Sequence, residues 1–471
     1  MAGSAQLGFT GLDRETRIAR LPTRGRIPPW LAGTLIRNGP ARFEVGGRSL
    51  RHWFDGFAML HAFAFAGGEV AYSGKFLRTH AYTSALRTGK IGFPGFATDP
   101  CRALFRRVGT LLCGPGNDNA NVSVGRVADR FLAFTETPLP IAFDPRTLET
   151  LGVYDYHDRL AGALTTAHPQ HDAPRHATFS YLTQFGRTSR YHVYYQQGRR
   201  RTRVARLTTR EPAYMHSFAM TERFVVLMEY PLVVRPFELL LSGRPFADNL
   251  RWAPERGTRF FVIDKSNGTV TRICDAEPCF AFHHVNAFER GDELLIDVVV
   301  FPDAAIVHGL QLDALQAALP TPAGELRRYR VPLWRGPVAY ERLTDTCLEM
   351  PRIDEACRMD AAYRCVYGVG AHEPGNFVDQ LVKVDLKSGA ARAWRAPGCY
   401  PGEPIFVRAP QTQAEDAGVV LSVVLDAPAA TSFLLVLDAA SFEEIGRATV
   451  PHHIPFGFHG EYFADVAGSC T

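Results

Sequence analysis

Four histidines in this chain lie among apolar residues, where an imidazole ring either packs as a hydrogen-bonded core residue or binds a metal ion. For any one of them alone, the core role is the more common outcome. The four are His168, His216, His283 and His459. Neutral imidazole is a good ligand for Fe2+, Cu and Zn. Because the four are scattered along the chain, they would meet only in a fold that brings distant strands to a common axis.

The third histidine has a second histidine beside it, upstream of a strongly apolar run. Residues 294–301 are rich in β-branched and other apolar side chains and are bounded by Gly291 and Pro302, a pattern that predicts a buried strand. Side chains of neighbouring residues on a strand point to opposite sides. Only one of His283 and His284 would therefore point into a given cavity, and the residues alone leave the choice open.

Three glutamates are candidates for holding the histidine rings in place. A metal-bound imidazole needs a partner for its other N–H group, and a buried carboxylate is the usual partner. The glutamates in apolar surroundings are Glu136, Glu349 and Glu403. We expect them to lie beside the metal without binding it. A metal bound by histidines alone would keep its full positive charge and open coordination positions.

A repeated strand–turn pattern indicates the fold that would position these residues. Four segments each consist of an apolar strand that ends in Asp, whose side chain can cap the following turn. They are residues 143–149, 263–268, 384–389 and 437–442. A second pair of similar segments is 129–136 and 222–229. Repeated units without intervening helices predict an all-β propeller, with two stacked β-sandwiches as the alternative.

Length and composition are those of one large globular domain. The chain has 471 residues, 46% of them hydrophobic, and no linker or low-complexity tract divides it. We therefore predict a single domain over residues 1–471, with inserted segments at about 81–116 and 230–252. The net charge of +4 is too diffuse to indicate a nucleic-acid partner.

Cysteine usage and hydropathy predict a cytoplasmic protein. The nine cysteines are scattered without CxxC pairs, which favours reduced thiols over a disulfide framework. The N-terminus lacks a signal-peptide pattern, and no apolar run approaches the ~20 residues needed to span a bilayer. Two segments, residues 100–112 and 230–252, combine apolar side chains with arginine. Each alone fits a core helix, whereas together they predict a surface that attaches peripherally to a membrane.

Three further motifs connect these features to a known family. They are Gly-Thr-Leu-Ile-Arg-Asn-Gly-Pro at residues 33–40, Trp-Phe-Asp-Gly at residues 53–56 and Phe-His-Gly at residues 458–460. Together with the histidines, they resemble the motifs of the carotenoid cleavage oxygenase family over nearly the whole chain. Members of that family are non-haem iron enzymes. The resemblance implies a seven-bladed β-propeller with a helical dome over an axial metal site.

The resemblance also implies roles for individual residues. In the family, the third metal ligand stands three residues before an asparagine, which selects His283, followed by Asn286, over His284. The three glutamates match the family's outer carboxylates. For Glu136 we expect no direct contact with a metal-binding histidine, because the family often leaves the matching histidine without a carboxylate partner. The expected catalytic residues, binding one Fe2+ per chain, are His168, His216, His283 and His459.

By the same resemblance, the chain is expected to be a dioxygenase that uses O2 as co-substrate to split one double bond of a carotenoid or apocarotenoid into aldehydes. An apolar tunnel would hold this substrate. The stilbene-cleaving branch has a lysine where this chain has Thr135, so a plain polyene is the better substrate. The expected tunnel residues are Phe54, Phe134, Thr135, Phe282 and Phe458.

Three other functions are alternatives: a stilbene- or phenylpropenoid-cleaving dioxygenase, a retinoid isomerohydrolase, and a propeller binding protein without catalysis. The intact set of four histidines and three glutamates argues against the last. Residues 99–102, Asp-Pro-Cys-Arg, are similar to the Pro-Asp-Pro-Cys-Lys motif of animal members, with Thr98 in place of the first proline. In those members this region contacts a membrane.

Overall fold

Antiparallel strands account for most of the regular structure in the computed structural model, which describes residues 5–98 and 116–467. The predicted membrane segment at residues 100–112 and the motif at residues 99–102 lie outside the described residues. The extent of the single domain, residues 1–471, stays a prediction.

Strands in the first half of the chain are short and are separated mainly by turns. Numbered in chain order, they are β1 (Thr16–Ile18), β2 (Thr23–Gly25), β3 (Gly33–Arg42), β4 (Glu44–Val45), β5 (Arg48–Ser49), β6 (Phe57–Ala66), β7 (Glu69–Phe76), β8 (Ser123–Val127), β9 (Arg130–Phe134), β10 (Ile141–Phe143), β11 (Thr150–Val153), β12 (Leu164–Thr165), β13 (Gln170–Asp172), β14 (Ala177–Gln184), β15 (Ser189–Gln197), β16 (Arg200–Thr209), β17 (Ala219–Met220) and β18 (Phe224–Glu229).

The second half repeats the pattern, with middle strands rich in Val, Leu and Phe that suit a buried pleated surface. These strands are β19 (Leu232–Val234), β20 (Leu250–Trp252), β21 (Thr258–Asp264), β22 (Val270–Ala276), β23 (His284–Arg290), β24 (Glu293–Val300), β25 (Glu325–Pro332), β26 (Ala339–Arg342), β27 (Glu349–Arg352), β28 (Cys365–Gly370), β29 (Gln380–Asp385), β30 (Ala391–Trp394), β31 (Cys399–Pro401), β32 (Ile405–Arg408), β33 (Gly418–Asp426), β34 (Thr431–Asp438), β35 (Glu444–Val450) and β36 (Gly460–Phe463).

The helices are few and short. Among the described residues, the α-helices are α1 (His80–Thr88), α2 (Pro236–Leu241), α3 (Ala305–Gly309) and α4 (Leu312–Gln316). Single 3-10 turns are Ala5–Phe9, Trp53–Asp55, Ala173–Arg175, Ala247–Asn249, Pro254–Arg256 and Glu355–Cys357.

Seven sheets of four or more described strands are the blades of a β-propeller, as the sequence predicts, and two separate ribbons are β4–β5 and β19–β20. From the axis outward, the blades are β36-β3-β6-β7-β1 (blade 1), β8-β9-β10-β11 (blade 2), β12 and β13 followed by β14-β15-β16 (blade 3), β17-β18-β21-β22 (blade 4), β23-β24-β25-β26 (blade 5), β27-β28-β29-β30 (blade 6), and β31 and β32 followed by β33-β34-β35-β2 (blade 7).

Both ends of the described chain close the ring. The C-terminal strand β36 is the innermost strand of blade 1, where Gly460 pairs with Arg37 of β3. The N-terminal strand β2 is the outermost strand of blade 7, where Thr23 pairs with Ala448 of β35. Because the first and last blades each contain strands from both ends, the ring is held closed by backbone hydrogen bonds.

The repeated Asp turn joins the third strand from the axis to the fourth in blades 2, 4, 6 and 7. In each turn the aspartate side chain accepts a hydrogen bond from the backbone N–H two residues further on. The aspartates are Asp144, Asp264, Asp385 and Asp438. The four similar sequence segments therefore form the same turn in four blades, which confirms the predicted strand–turn repeat.

The predicted buried strand at residues 294–301 is also confirmed. It forms β24, the second strand of blade 5, where every residue from Leu294 to Val300 is buried. Phe301 continues past the strand and bridges Phe280. The largest core cluster packs such strands against the neighbouring blades and against the cap.

A cap of short helices and loops covers one end of the axis. Ile306 and Leu310 of the α3 region and Trp53 and Phe54 of a 3-10 turn line a cavity beneath it. His52 caps that turn by accepting a hydrogen bond from the Phe54 N–H, at 3.1 Å. The described cap thus places aromatic side chains over the axis.

The predicted membrane segment 230–252 divides into a core part and an exposed part. Val233 and Val234 of β19 are buried, so their assignment to a membrane surface was wrong. Helix α2 follows, and its Phe237 and Leu241 are 60% and 68% exposed. None of the helices in the described part of the chain is long and apolar enough to cross a bilayer.

Two glycines at the same position of the Asp turn provide a test of blade packing. Gly268 and Gly389 both have positive φ (73° and 71°). A side chain on Gly268 would overlap the carbonyl oxygen of Val204 in blade 3, whereas Gly389 faces open space. We expect Gly389→Ala to cost about 1–2 kcal/mol of unfolding free energy from backbone strain alone. Gly268→Ala should cost about 1–3 kcal/mol more, from overpacking.

Denaturant unfolding of the two variants measures this difference directly. Equal destabilisation would contradict the close approach between blades 3 and 4.

Candidate metal centre

Each of the seven blades contributes one residue to a polar centre on the axis. Blades 1, 3, 4 and 5 supply histidines from the chain just before, or between, their innermost strands, and blades 2, 6 and 7 supply glutamates. In blade order, these residues are His459, Glu136, His168, His216, His283, Glu349 and Glu403. The propeller therefore brings together residues that are far apart in the sequence.

The four predicted histidines face one another at the axis. Their ligand nitrogens all lie within 4.8 Å of one another. The Nε2 atoms of His168 and His216 are 3.0 Å apart, and those of His283 and His459 are 3.1 Å apart. Nitrogen ligands about 2.0–2.1 Å from a common ion are separated by about 3 Å when adjacent. The spacing fits a single metal ion.

Three of these histidines are oriented by carboxylates, and this hydrogen bonding leaves the centre able to hold a cation. The Nδ1–H groups of His283 and His459 donate to Glu349 and Glu403 at 2.6 and 2.8 Å. A neutral imidazole has one N–H group, so both facing Nε2 atoms carry lone pairs. Two lone pairs at 3.1 Å repel each other unless a cation lies between them.

The remaining two histidines differ in whether a carboxylate holds the ring. His216 donates through Nδ1 to Glu136 at 2.6 Å. The expectation that Glu136 contacts none of the four histidines directly was therefore wrong. No carboxylate contact to His168 is found among the described residues, so His168 is the histidine without such a partner. The loop carrying His168 is instead fixed by its own N–H, which donates to Thr166 Oγ1 at 2.9 Å.

Two of the histidines are held neutral by their surroundings. Burial, together with His459, His216 and His283, lowers the pKa of His168 well below its ordinary value. Burial also lowers the pKa of His459 to about 4, although Glu403 opposes this. A neutral imidazole retains the lone pair that binds a metal, so both rings are competent ligands at neutral pH.

Glu403 lies in a cluster of charges that the sequence did not predict. Its two oxygens accept from the Arg37 guanidinium at 2.5 Å and the Arg352 guanidinium at 2.9 Å, as well as from His459. Burial alone would raise the pKa of Glu403, but Arg352, His459 and Arg37 hold it well below its ordinary value. The carboxylate is therefore anionic. Arg37 belongs to the motif at residues 33–40, which was the available signal.

Tyr214 is a second residue that sequence reasoning missed. Its hydroxyl lies 2.8 and 3.0 Å from the two oxygens of Glu136. Burial raises the pKa of Tyr214 well above its ordinary value, so the hydroxyl stays protonated and donates. Tyr214 therefore holds the carboxylate that in turn holds His216. Its position two residues before a predicted ligand is the only sequence signal for this role.

His284 points away from the centre. Its Nδ1 is 2.7 Å from Ser217 Oγ, and its Nε2 is 3.1 Å from Met228 Sδ. The choice of His283 over its neighbour thus agrees with the geometry. Asn286, used for that choice, accepts a hydrogen bond from the Met359 N–H and so ties β23 to the loop that follows β27.

An apolar cavity of about 450 Å³ ends on the histidines from the side of the cap. Four of the five predicted tunnel residues line it: Phe54, Thr135, Phe282 and Phe458. Phe134 does not, which corrects the prediction. It lines a second cavity on the opposite side of the histidines. Neighbours at the end of β9 point to opposite sides, so Thr135 faces one cavity and Phe134 the other.

A seven-bladed propeller with four histidines on its axis and three glutamates behind them defines a class of propellers whose centre can hold one metal ion. The chain matches the protein family described as Retinal pigment epithelial membrane protein over residues 9–464. The chain belongs to this family, the carotenoid cleavage oxygenases, as its motifs predict. It is a dioxygenase of that family.

The similarity to known proteins extends over nearly the whole chain. It is 33% identical to a carotenoid-cleaving dioxygenase, mitochondrial, of Macaca fascicularis, over 93% of this chain and 90% of that protein. It is 34% identical to carotenoid cleavage dioxygenase 8 homolog A, chloroplastic, of Oryza sativa subsp. japonica, over 96% and 86%. A crystal structure of cobalt-substituted apocarotenoid oxygenase from Synechocystis has a TM-score of 0.88 at 27% identity, covering 98% of both chains.

The charge cluster around Glu403 predicts that two equivalent-looking glutamates behave differently. We expect Glu349→Gln and Glu403→Gln each to weaken metal affinity roughly 10- to 100-fold, because each removes the carboxylate behind an imidazole. Glu403→Gln also leaves Arg37 without its buried counter-charge and removes the nearest of the carboxylates around Arg352. That should cost about 3–5 kcal/mol of unfolding free energy.

Metal titration of the metal-free variants and denaturant unfolding measure the two effects separately. Glu349→Gln is the matched control, since no arginine contacts Glu349 among the described residues. Equal stability of the two variants would contradict the role given to the arginines.

Proposed function

We propose that this protein is an Fe2+-dependent dioxygenase that cleaves one carbon–carbon double bond of a carotenoid or apocarotenoid with O2, yielding two aldehydes. One observation carries the proposal: an apolar cavity ends directly on His216, His283 and His459. The relatives named as carotenoid-cleaving dioxygenase and as β,β-carotene 15,15'-dioxygenase support this substrate class.

Iron is the metal that suits both the site and the reaction. All-imidazole donor sets bind Fe2+, and no carboxylate oxygen competes for the ion, because the three glutamates are used by histidine N–H groups. Bound Fe2+ would supply the electrons that activate O2, so that no external reductant is consumed. The part of the chain that the structure describes supplies one such site.

Aromatic residues beside the histidines hold the polyene. The ring of Phe54 lies 6.0 Å from that of Phe282 and 5.3 Å from that of Phe458. Phe282 is in turn 5.3 Å from the ring of His216. These rings form an apolar wall against which a conjugated chain packs with little loss of freedom. They exclude water and fix which double bond lies beside the metal, and such positioning is a large part of catalysis.

Thr135 favours a polyene over a phenolic stilbene. It lines the substrate cavity next to Glu136, where the stilbene-cleaving branch has a lysine. Among the described residues, the lining contains neither lysine nor arginine. A phenolate would therefore be buried without a cation, which is costly. A hydrocarbon chain has no such requirement.

Product analysis tests the proposal. Full-length protein loaded with Fe2+ is incubated under 18O2 with β-carotene, apocarotenals and resveratrol. The products are reduced at once and identified by mass spectrometry. We expect aldehydes from a polyene, each with one labelled oxygen, and no cleavage of resveratrol. Cleavage of resveratrol alone would support the stilbene-cleaving alternative. No product from a metal-loaded protein would support a binding protein.

Adjacent histidines provide the matched control. His283→Ala should lose both bound iron and turnover, as should His216→Ala and His459→Ala. His284→Ala should keep both, because that ring contacts Ser217 and Met228 instead. Iron loss in His284→Ala with retention in His283→Ala would reverse the assignment.

We also propose that helix α2 attaches the protein to a membrane surface, from which a water-insoluble polyene is taken up. Phe237 and Leu241 are exposed on this helix, Leu240 is half-buried, and Arg244 just beyond it is exposed. Apolar side chains would enter the lipid while the guanidinium meets anionic head groups. Burying two such side chains contributes several kcal/mol at about 1.5–3 kcal/mol each, enough for reversible attachment.

The double variant Phe237→Ser with Leu241→Ser should bind anionic liposomes less tightly while retaining its iron. Turnover of liposome-held substrate should fall more than turnover of detergent-solubilised substrate. Leu151→Ser with Val153→Ser is the control, because these side chains are 58% and 48% exposed on the outer strand of blade 2. Equal liposome affinity of the two double variants would argue against this surface.

A further inference from the structure

The ring of histidines separates two cavities of different character. The substrate cavity reaches it from the cap, and a larger cavity of about 1040 Å³ reaches it from the opposite end of the propeller axis. We call the second one the axial cavity. His168, His283 and His459 line its inner end. At its outer end Glu222 and Asp360 are exposed, so the axial cavity opens to solvent.

Carboxylates line the axial cavity from its mouth to the histidines. Six carboxylates and three guanidiniums border it. The guanidinium of Arg358 is paired with Glu355, and that of Arg352 with Glu403 and Glu461. Glu222 and Asp360 at the mouth have no ion-pair partner in the described structure. The mouth therefore carries two carboxylates without a counter-charge, whereas the carboxylates further in, those of Glu355, Glu403 and Glu461, are paired with arginines.

The substrate cavity offers a cation fewer unpaired carboxylates than the axial cavity does. Its two inner carboxylates, Glu136 and Glu349, already accept hydrogen bonds from histidines. Between them and the mouth, aromatic side chains such as Phe54, Phe282 and Phe377 form the wall. A divalent ion that crossed this lining would lose its hydration shell before reaching a ligand, which is strongly unfavourable. Bound polyene would also block the path.

We propose that the axial cavity is the route by which Fe2+ reaches and leaves the four-histidine centre. This inference rests on the proposed function, since it requires that the histidines bind the metal. Carboxylates at the mouth attract the hydrated ion, and oxygen atoms along the cavity replace its waters one at a time. The nitrogens of His168, His283 and His459 then complete the exchange from that side. Substrate and metal thus use opposite faces of one centre.

A matched pair of charge reversals tests the route. Asp360 at the axial mouth and Asp345 at the mouth of the substrate cavity are both exposed aspartates. Metal-free full-length protein is mixed with Fe2+ under anaerobic conditions, and uptake is followed over time. Asp360→Lys should slow uptake roughly tenfold at low ionic strength, with the difference fading as salt is added. Asp345→Lys should leave the rate unchanged.

A matched pair of steric variants supplies a second measurement. Ala356 borders the axial mouth and Ala323 borders the substrate cavity, and both are exposed. Release of Fe2+ from loaded protein is followed with a chelator that absorbs on binding iron. Ala356→Trp should slow uptake and release by the same factor and leave the equilibrium affinity unchanged, because a barrier on a path acts in both directions. Ala323→Trp should change neither rate.

The outcomes separate the route from the metal site itself. Unchanged rates in Asp360→Lys and Ala356→Trp, in a protein that loads iron normally, would overturn the route alone. Slower exchange in Asp345→Lys and Ala323→Trp instead would assign metal passage to the substrate cavity. If unmodified protein takes up no Fe2+, the four-histidine assignment fails and this proposal fails with it.

Discussion

The hydrogen bond between a buried carboxylate and an imidazole Nδ1–H is the interaction on which this centre depends. It decides which nitrogen carries the proton, and so leaves the Nε2 lone pairs of His216, His283 and His459 facing the axis. No blade supplies both partners of such a bond: the histidines come from blades 4, 5 and 1 and their glutamates from blades 2, 6 and 7. The centre therefore exists only when the ring is closed.

Closure has an electrostatic consequence as well as a geometric one. At low dielectric an anionic Glu403 needs compensation, and Arg37 and Arg352 provide it on either side. Arg37 lies on the strand that pairs with β36, the strand directly after His459. The strand pairing that closes the propeller thus also brings together the cation, the carboxylate and the imidazole. The stability of the ring and the geometry of the histidine centre are therefore coupled at this blade.

Sequence reasoning named residues that the structure brings together where a residue could be recognised from its own motif. The four histidines were recognisable from apolar context and from resemblance, and His283 was separated from His284 by Asn286, three residues beyond it. It failed where side-chain direction decided the outcome. Phe134 and Thr135 are consecutive at the end of β9, and either one fits an apolar tunnel by type. Only the strand's orientation assigns them to different cavities.

By itself, the sequence determined the propeller class, the repeated Asp turn and the types of residue at the axial centre, because these depend on local pattern and on individual motifs. Only the tertiary structure decided which glutamate holds which histidine, that Tyr214 holds Glu136, and that one centre separates an apolar cavity from a polar one. Those relations join residues on different blades. The closure of the ring sets the distances between blades, and no local pattern in the chain encodes them.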